Sequence, residues 1–159
     1  MQQRLDYRLA SPDAFKAMLN TEAQIHKSGL EPSLLELVKT RASQLNGCAW
    51  CLDMHTKDAR ACGETEQRLY LLTAWREAPF YSERERAALA WTEALTQIPA
   101  HGVPDELYAE VRRHFDEKGI VDLTLAIVAI NGWNRMNVAF RTTVGGYVSP
   151  HAKGQAHAR

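Results

Sequence analysis

Apolar residues recur along this chain at spacings of three and four, the period of an α-helix with one buried stripe, nearly from end to end. No segment alternates as a half-buried strand does, so the pattern predicts an all-α fold of about seven helices. Ser11 and Pro12 open the first, Ala14, Phe15, Met18, Leu19 and Ile25 form its stripe, and Gly29 closes it. Pro32 opens a second, with Leu34, Leu35, Val38 and Leu45 facing inward and Asn46-Gly47 as its stop. A third runs from about Ala49 to Cys62 and ends at Gly63. "TEQRLYLLTAW" predicts a shorter one, halted by Pro79. Ser82 and Glu85 frame a capping box at the head of the fifth, whose Ala88, Leu89, Trp91, Ala94 and Leu95 precede Pro99. "PDELYAEVRRHFDEKG" reads as a sixth, acidic early and basic late as the macrodipole favours. The seventh, from about Val121 to Thr143, is the most apolar and is predicted at the centre. The chain reads as one domain over residues 1–145, followed by a polar, flexible tail over 146–159.

Composition narrows the class. A length of 159 residues suits one domain with a real core, and 45% hydrophobic with 24% charged residues is ordinary for a globular protein. Nineteen basic residues balance nineteen acidic ones, which removes the electrostatic reason to expect nucleic acid or an anionic membrane as partner. The longest apolar stretch, "LTLAIVAINGWNRMNVAF", is interrupted by Asn131, Gly132, Asn134, Arg135 and Asn137, so no membrane span is expected. The first residues lack the basic start and apolar run of a secretory signal, and a cytoplasmic location is expected. Thiols stay reduced there, and a close cysteine pair is more often catalytic or metal-binding than a structural staple.

Such a pair lies in "ELVKTRASQLNGCAWCLDMH", where Cys48 and Cys51 are followed by His55 and preceded by Glu36. Cys48 falls at the start of the third helix, Cys51 in its first turn, and His55 one turn further on the same face. If the second and third helices double back as a hairpin, Glu36 lies about 15 Å down one arm and His55 about 12 Å up the other. A carboxylate, an imidazole and a thiol then line one crevice. A helix N-terminus favours a thiolate, so Cys51 can act as nucleophile, His55 can take its proton, and Glu36 can orient that imidazole or serve as base. Cys48 is then the resolving thiol: it condenses with a sulfenic acid on Cys51, and a dithiol restores the pair by exchange. Two other readings stand beside this one. Both cysteines with His55 and Glu36 could hold zinc, although structural zinc sites favour sulfur and imidazole over a mid-helix glutamate. The pair could also be part of an ordinary core. Cys62 reads as a small buried apolar side chain, and Trp50 as either a packing anchor or a lid.

The spacing of Glu36, Cys48, Cys51 and His55, with "NGC" leading into the dithiol, resembles the signature of the alkylhydroperoxidase D-like (AhpD-like) branch of the carboxymuconolactone decarboxylase superfamily. "ALAWTEALT" and "AIVAINGWNRMNVAFR" resemble later blocks of the same family, so the likeness runs from about residue 30 to 145. It implies an all-α fold assembled as a homo-oligomer, trimer or hexamer, and a peroxidase or thiol-disulfide oxidoreductase that needs no cofactor and no metal. It also implies that Cys51 is peroxidatic and Cys48 resolving, that Glu36 and His55 relay protons, and that a lipoyl-type or thioredoxin-like dithiol partner reduces the disulfide left by an organic hydroperoxide. Trp50 stands where the family's founding type has a second relay histidine. The decarboxylase branch lacks the dithiol, which argues against lactone decarboxylation here. A redox sensor or disulfide oxidoreductase is the alternative within redox chemistry, and a metal-binding structural protein the alternative outside it. On the last helix Trp133, Met136, Val138 and Phe140 need covering, by the protein's own core or by another copy.

Overall fold

The computed structural model describes residues 2–152, and the end of the expected tail, 153–159, lies outside the described residues. Eight α-helices form, with no strand among the described residues: α1 (Tyr7–Ala10), α2 (Pro12–His26), α3 (Pro32–Asn46), α4 (Ala49–Ala61), α5 (Glu66–Leu71), α6 (Glu83–Thr96), α7 (Asp105–His114) and α8 (Glu117–Phe140). A 3-10 turn over Leu72–Ala74 continues α5. None of these helices is long and apolar enough to cross a membrane.

The punctuation acts as the sequence indicates. Prolines open α2 and α3, Ser82 and Glu85 complete the capping box of α6, and Gly47 ends α3 in the left-handed region at φ 63. Two boundaries differ from expectation. The sixth predicted helix stops at His114, because Phe115 turns extended to bury its ring and the Asp116 side chain caps a new helix at the Gly119 amide, 2.7 Å away. The last helix therefore starts at Glu117 rather than Val121, and ends at Phe140, where Arg141 takes a left-handed conformation. The four-residue α1 was not anticipated. It is too short for a stripe and is held by tertiary bonds, from the Tyr7 hydroxyl to Asn137 at 3.1 Å and, just before it, from the Arg4 amide to the Phe140 carbonyl at 3.0 Å and the Arg4 guanidinium to the Ala139 carbonyl at 2.9 Å.

The core gathers around α8. Leu123, Ala126, Ile127 and Ala129 pack against Leu34, Leu35 and Val38 of α3 and Ala87, Ala88 and Trp91 of α6. Ile130, further along α8, meets Ala42 and the two cysteines instead. One end of the central helix thus closes the main core and the other backs the dithiol. Past residue 145 the chain returns over α4, where Lys57 donates to the Tyr147 carbonyl at 3.0 Å and Trp50 meets the Tyr147 ring edge to face.

Candidate active site

The α3–α4 connection consists of Gly47 and Cys48, the latter being the N-cap of α4. Its sulfur accepts the backbone N–H of Cys51 at 3.4 Å, doing the work a serine or aspartate does at other helix starts. Three residues on, Cys51 is joined to Cys48 by a disulfide, with Cα atoms 5.4 Å apart. Each cysteine is 1% exposed. The tight turn sends α4 back along α3, and the two arms bring Glu36 and His55 together: Oε2 and Nδ1 are 2.8 Å apart, with His55 buried. Glu36 meets the imidazole directly.

A cavity of about 370 Å³ opens onto this cluster. Cys51, Glu36 and His55 line it; Cys48 is not part of its wall. Phe15, Leu19, Met54 and Trp133 give it an apolar side. Lys39 projects into it as one half of a buried ion pair with Glu22, at 2.6 Å, and Glu22 also accepts the Trp133 indole N–H at 3.0 Å. The fold therefore assembles all four residues of the sequence motif, with only one of the two sulfurs facing the cavity.

Four functional candidates escaped the sequence. Asp58 lies one turn beyond His55, and the Tyr147 hydroxyl donates to its carboxylate at 2.9 Å. Burial, together with that hydrogen bond, pushes the Tyr147 phenol far above its ordinary range, so it remains a donor. Asn137, buried on α8, directs its amide nitrogen at Cys51 Sγ, 3.4 Å away, and Tyr7 bonds to the amide oxygen at 3.1 Å. The available signal was Asn131, Asn134 and Asn137, spaced by three within the most apolar helix, because buried amides require partners. Asn131 and Asn134 serve the same region: both accept from the Asn46 amide, at 2.9 and 2.8 Å, and Asn134 donates to Ser43 at 3.0 Å. Together they pin the turn that carries the dithiol.

One expectation changes. Cys62 is exposed rather than buried, because it stands at the C-cap of α4 beside the left-handed Gly63, past the last turn that the core covers. Desolvation of its sulfur and the carboxylates of Glu36 and Asp58 raise its thiol above the usual cysteine range. Trp50 packs against the dithiol's apolar cluster, as the anchor reading has it, and lines the cavity. As for metals, Glu36, His55 and Asp58 set their donor atoms within 4.8 Å of one another, a set able to take a cation. The two cysteines, joined to each other, are not among these donors.

The all-helical frame with its Cys-x-x-Cys pair matches the AhpD-like helical fold. The sequence model of the carboxymuconolactone decarboxylase family matches residues 12–94, just over half the chain, and the chain belongs to that family, in its AhpD-like branch. It is 51% identical over 139 residues to the uncharacterized protein YdfG of Bacillus subtilis strain 168, covering 87% of this chain and 95% of that one. Among solved structures it resembles ATU0492 of Agrobacterium tumefaciens, a protein of unknown function whose name suggests an antioxidant-defence AhpD. That likeness has a TM-score of 0.88 and 46% identity, over 92% of this chain and 100% of the other. The debrominase Bmp8 shares the fold at a TM-score of 0.77 and 23% identity, over 86% of this chain and 74% of that one. The fold therefore leaves the reaction to the site.

Proposed function

We propose that this protein is a cofactor-free dithiol peroxidase that reduces organic hydroperoxides. The observation that carries the proposal is the asymmetry of the pair: Cys51 faces the cavity beside the Glu36–His55 couple, while Cys48 sits behind it within bonding reach. In the reduced protein His55 takes the Cys51 proton and Glu36 holds the imidazole in place. The thiolate attacks the distal oxygen of the hydroperoxide and the O–O bond breaks. His55 returns its proton to the departing alkoxide, giving an alcohol and a Cys51 sulfenic acid. Cys48 attacks that sulfur, water leaves, and the disulfide forms. A dithiol then supplies two electrons and two protons through a mixed disulfide.

Burial of both cysteines argues about the reductant. A thioredoxin-like surface must touch a sulfur directly, whereas a lipoyl arm is slender enough to enter a cavity. A lipoyl-type dithiol is therefore the reductant favoured over a thioredoxin-like one. The same burial counts against a bulky protein disulfide as substrate, which is the oxidoreductase or sensor alternative. Self-association into a trimer or hexamer also belongs to this proposal, because Val121, Val128 and Val138 stand exposed on α8.

The test is consumption of cumene hydroperoxide by the reduced protein with dihydrolipoamide supplied. Turnover that disappears in Cys51→Ser supports the proposal. Turnover that survives in that variant, or none in the wild type, sinks it. Rapid disulfide exchange without peroxide loss would favour the oxidoreductase reading, and stoichiometric zinc with unreactive thiols the structural one.

A further inference from the structure

The two cysteines do not share one source of anion stabilisation. The backbone amide at the head of α4 points at Cys48, not at Cys51. On helix-terminus grounds alone the sulfur behind the cavity would be the better thiolate, and the sulfur facing the cavity the poorer one. Something else must serve Cys51, and the structure supplies it from α8 and α1.

The orientation of the Asn137 amide is fixed by its surroundings. The Trp133 carbonyl, 3.0 Å away, can only accept, so the amide nitrogen must face it. The nitrogen's second hydrogen is then left for Cys51 Sγ at 3.4 Å. The amide oxygen faces Tyr7, whose hydroxyl must donate, at 3.1 Å. Burial raises the Tyr7 phenol above its ordinary range and keeps that donor intact at neutral pH. Tyr7 is itself wedged between Phe15 and Phe140, with ring centroids 6.2 and 5.8 Å away. Three elements thus converge to aim one N–H at one sulfur.

We infer that Asn137, held by the positioning residue Tyr7, is the catalytic residue that stabilises the Cys51 thiolate and lets the cavity-facing sulfur, rather than the N-cap sulfur, act as nucleophile. This rests on the proposal that Cys51 attacks. Hydrogen bonds gain strength when the acceptor becomes charged, so the contact is worth more to a thiolate than to the disulfide sulfur. Of the charged groups sharing the cavity, Lys39 is engaged with Glu22, Arg8 with Asp6 and Asp58 under Tyr147, while His55, held by Glu36, is the base that takes the Cys51 proton. His26 and His151, also on the wall, are exposed. Among the described residues, Asn137 is the side chain that donates to Cys51 Sγ.

The experiment is iodoacetamide alkylation of Cys51 as a function of pH, in the reduced full-length chain carrying Cys48→Ser, with the modified site read by peptide mass spectrometry. Asn137→Ala should slow alkylation at pH 7 about tenfold and leave the rate at pH 10 unchanged, because only the thiolate fraction falls. Tyr7→Phe, a one-atom change that leaves packing in place, should slow it two- to threefold at pH 7 with the same high-pH plateau, and it decides the matter if Asn137→Ala does not fold. Superimposable profiles would overturn the inference, and so would an equal loss at every pH, which marks a merely structural role. The readout needs no peroxide, so a protein that lacks peroxidase turnover yet shows the shifted profile refutes the proposed function and leaves this inference standing.

Discussion

At the scale of single residues, the assignment of attacking and resolving sulfurs turns on access rather than on the spacing of the pair. Cys48 and Cys51 are equally buried, and the difference lies in which one meets the cavity. With Cys48→Ser the sulfenic acid on Cys51 has no partner within the subunit, so one equivalent of peroxide should give a single oxygen addition by intact mass and no intramolecular disulfide. A variant that still cycles at the wild-type rate would show that Cys48 does not resolve. Cys62→Ala should change turnover by less than about twofold, since that thiol lies at the exposed end of α4 and is held protonated. A large loss would place a third sulfur in the cycle. The four motif residues were legible because their chemistry depends on helical spacing, which sequence displays. Asn137, Tyr7, Asp58 and Tyr147 were not, because each works through a partner far away in the chain. Tyr7 and Asn137 are 130 residues apart, and no local pattern records such a pair.

At the scale of elements, the site depends on how sharply α3 turns into α4. Gly47 makes that turn with φ 63, and a Cβ built there meets nothing within 4 Å. The cost of Gly47→Ala is then backbone strain alone, about 1 kcal/mol. Melting of the oxidised protein should fall by about 3 °C, with the disulfide still forming. A drop of 10 °C or loss of the disulfide would mean that the turn also carries side-chain constraints not visible at Gly47. The same locality explains which elements could be read beforehand. Gly47, Pro32 and the Ser82–Glu85 box are stop and start signals written within four residues of the boundary they set. The break between α7 and α8 depends instead on burying the Phe115 ring in the distant core, and α1 on carbonyls at the end of α8. Neither can be inferred from neighbours in sequence.

At the scale of the whole molecule, one carboxylate on α6 joins that helix to α3 and to the segment carrying Trp75 and Arg76. Glu93 on α6 accepts the Trp75 indole N–H and the Arg41 guanidinium of α3, each at 2.8 Å, and pairs with Arg76 at 2.6 Å. Burial works against its charge, yet the bonds from Trp75, Arg76 and Arg41 outweigh it and hold the carboxyl below the ordinary glutamate range. In the unfolded chain those partners disperse and the ordinary value returns. A carboxyl depressed in the folded state binds fewer protons there, so its stabilisation is complete above the unfolded value and is lost as pH falls through the folded one. Glu93→Gln preserves the shape and removes the charge. It should cost about 1–2 kcal/mol at pH 7 and lower the melting temperature by about 4 °C, because charge-assisted bonds become neutral ones and one acceptor becomes a donor facing donors. As pH drops below the ordinary glutamate range, the wild type protonates at Glu93 and the two melting curves should converge. Thermal melts of both proteins followed by circular dichroism at pH 7, 5 and 3 measure this directly. A gap that stays constant across that range would show that Glu93 acts through its shape and not through its charge.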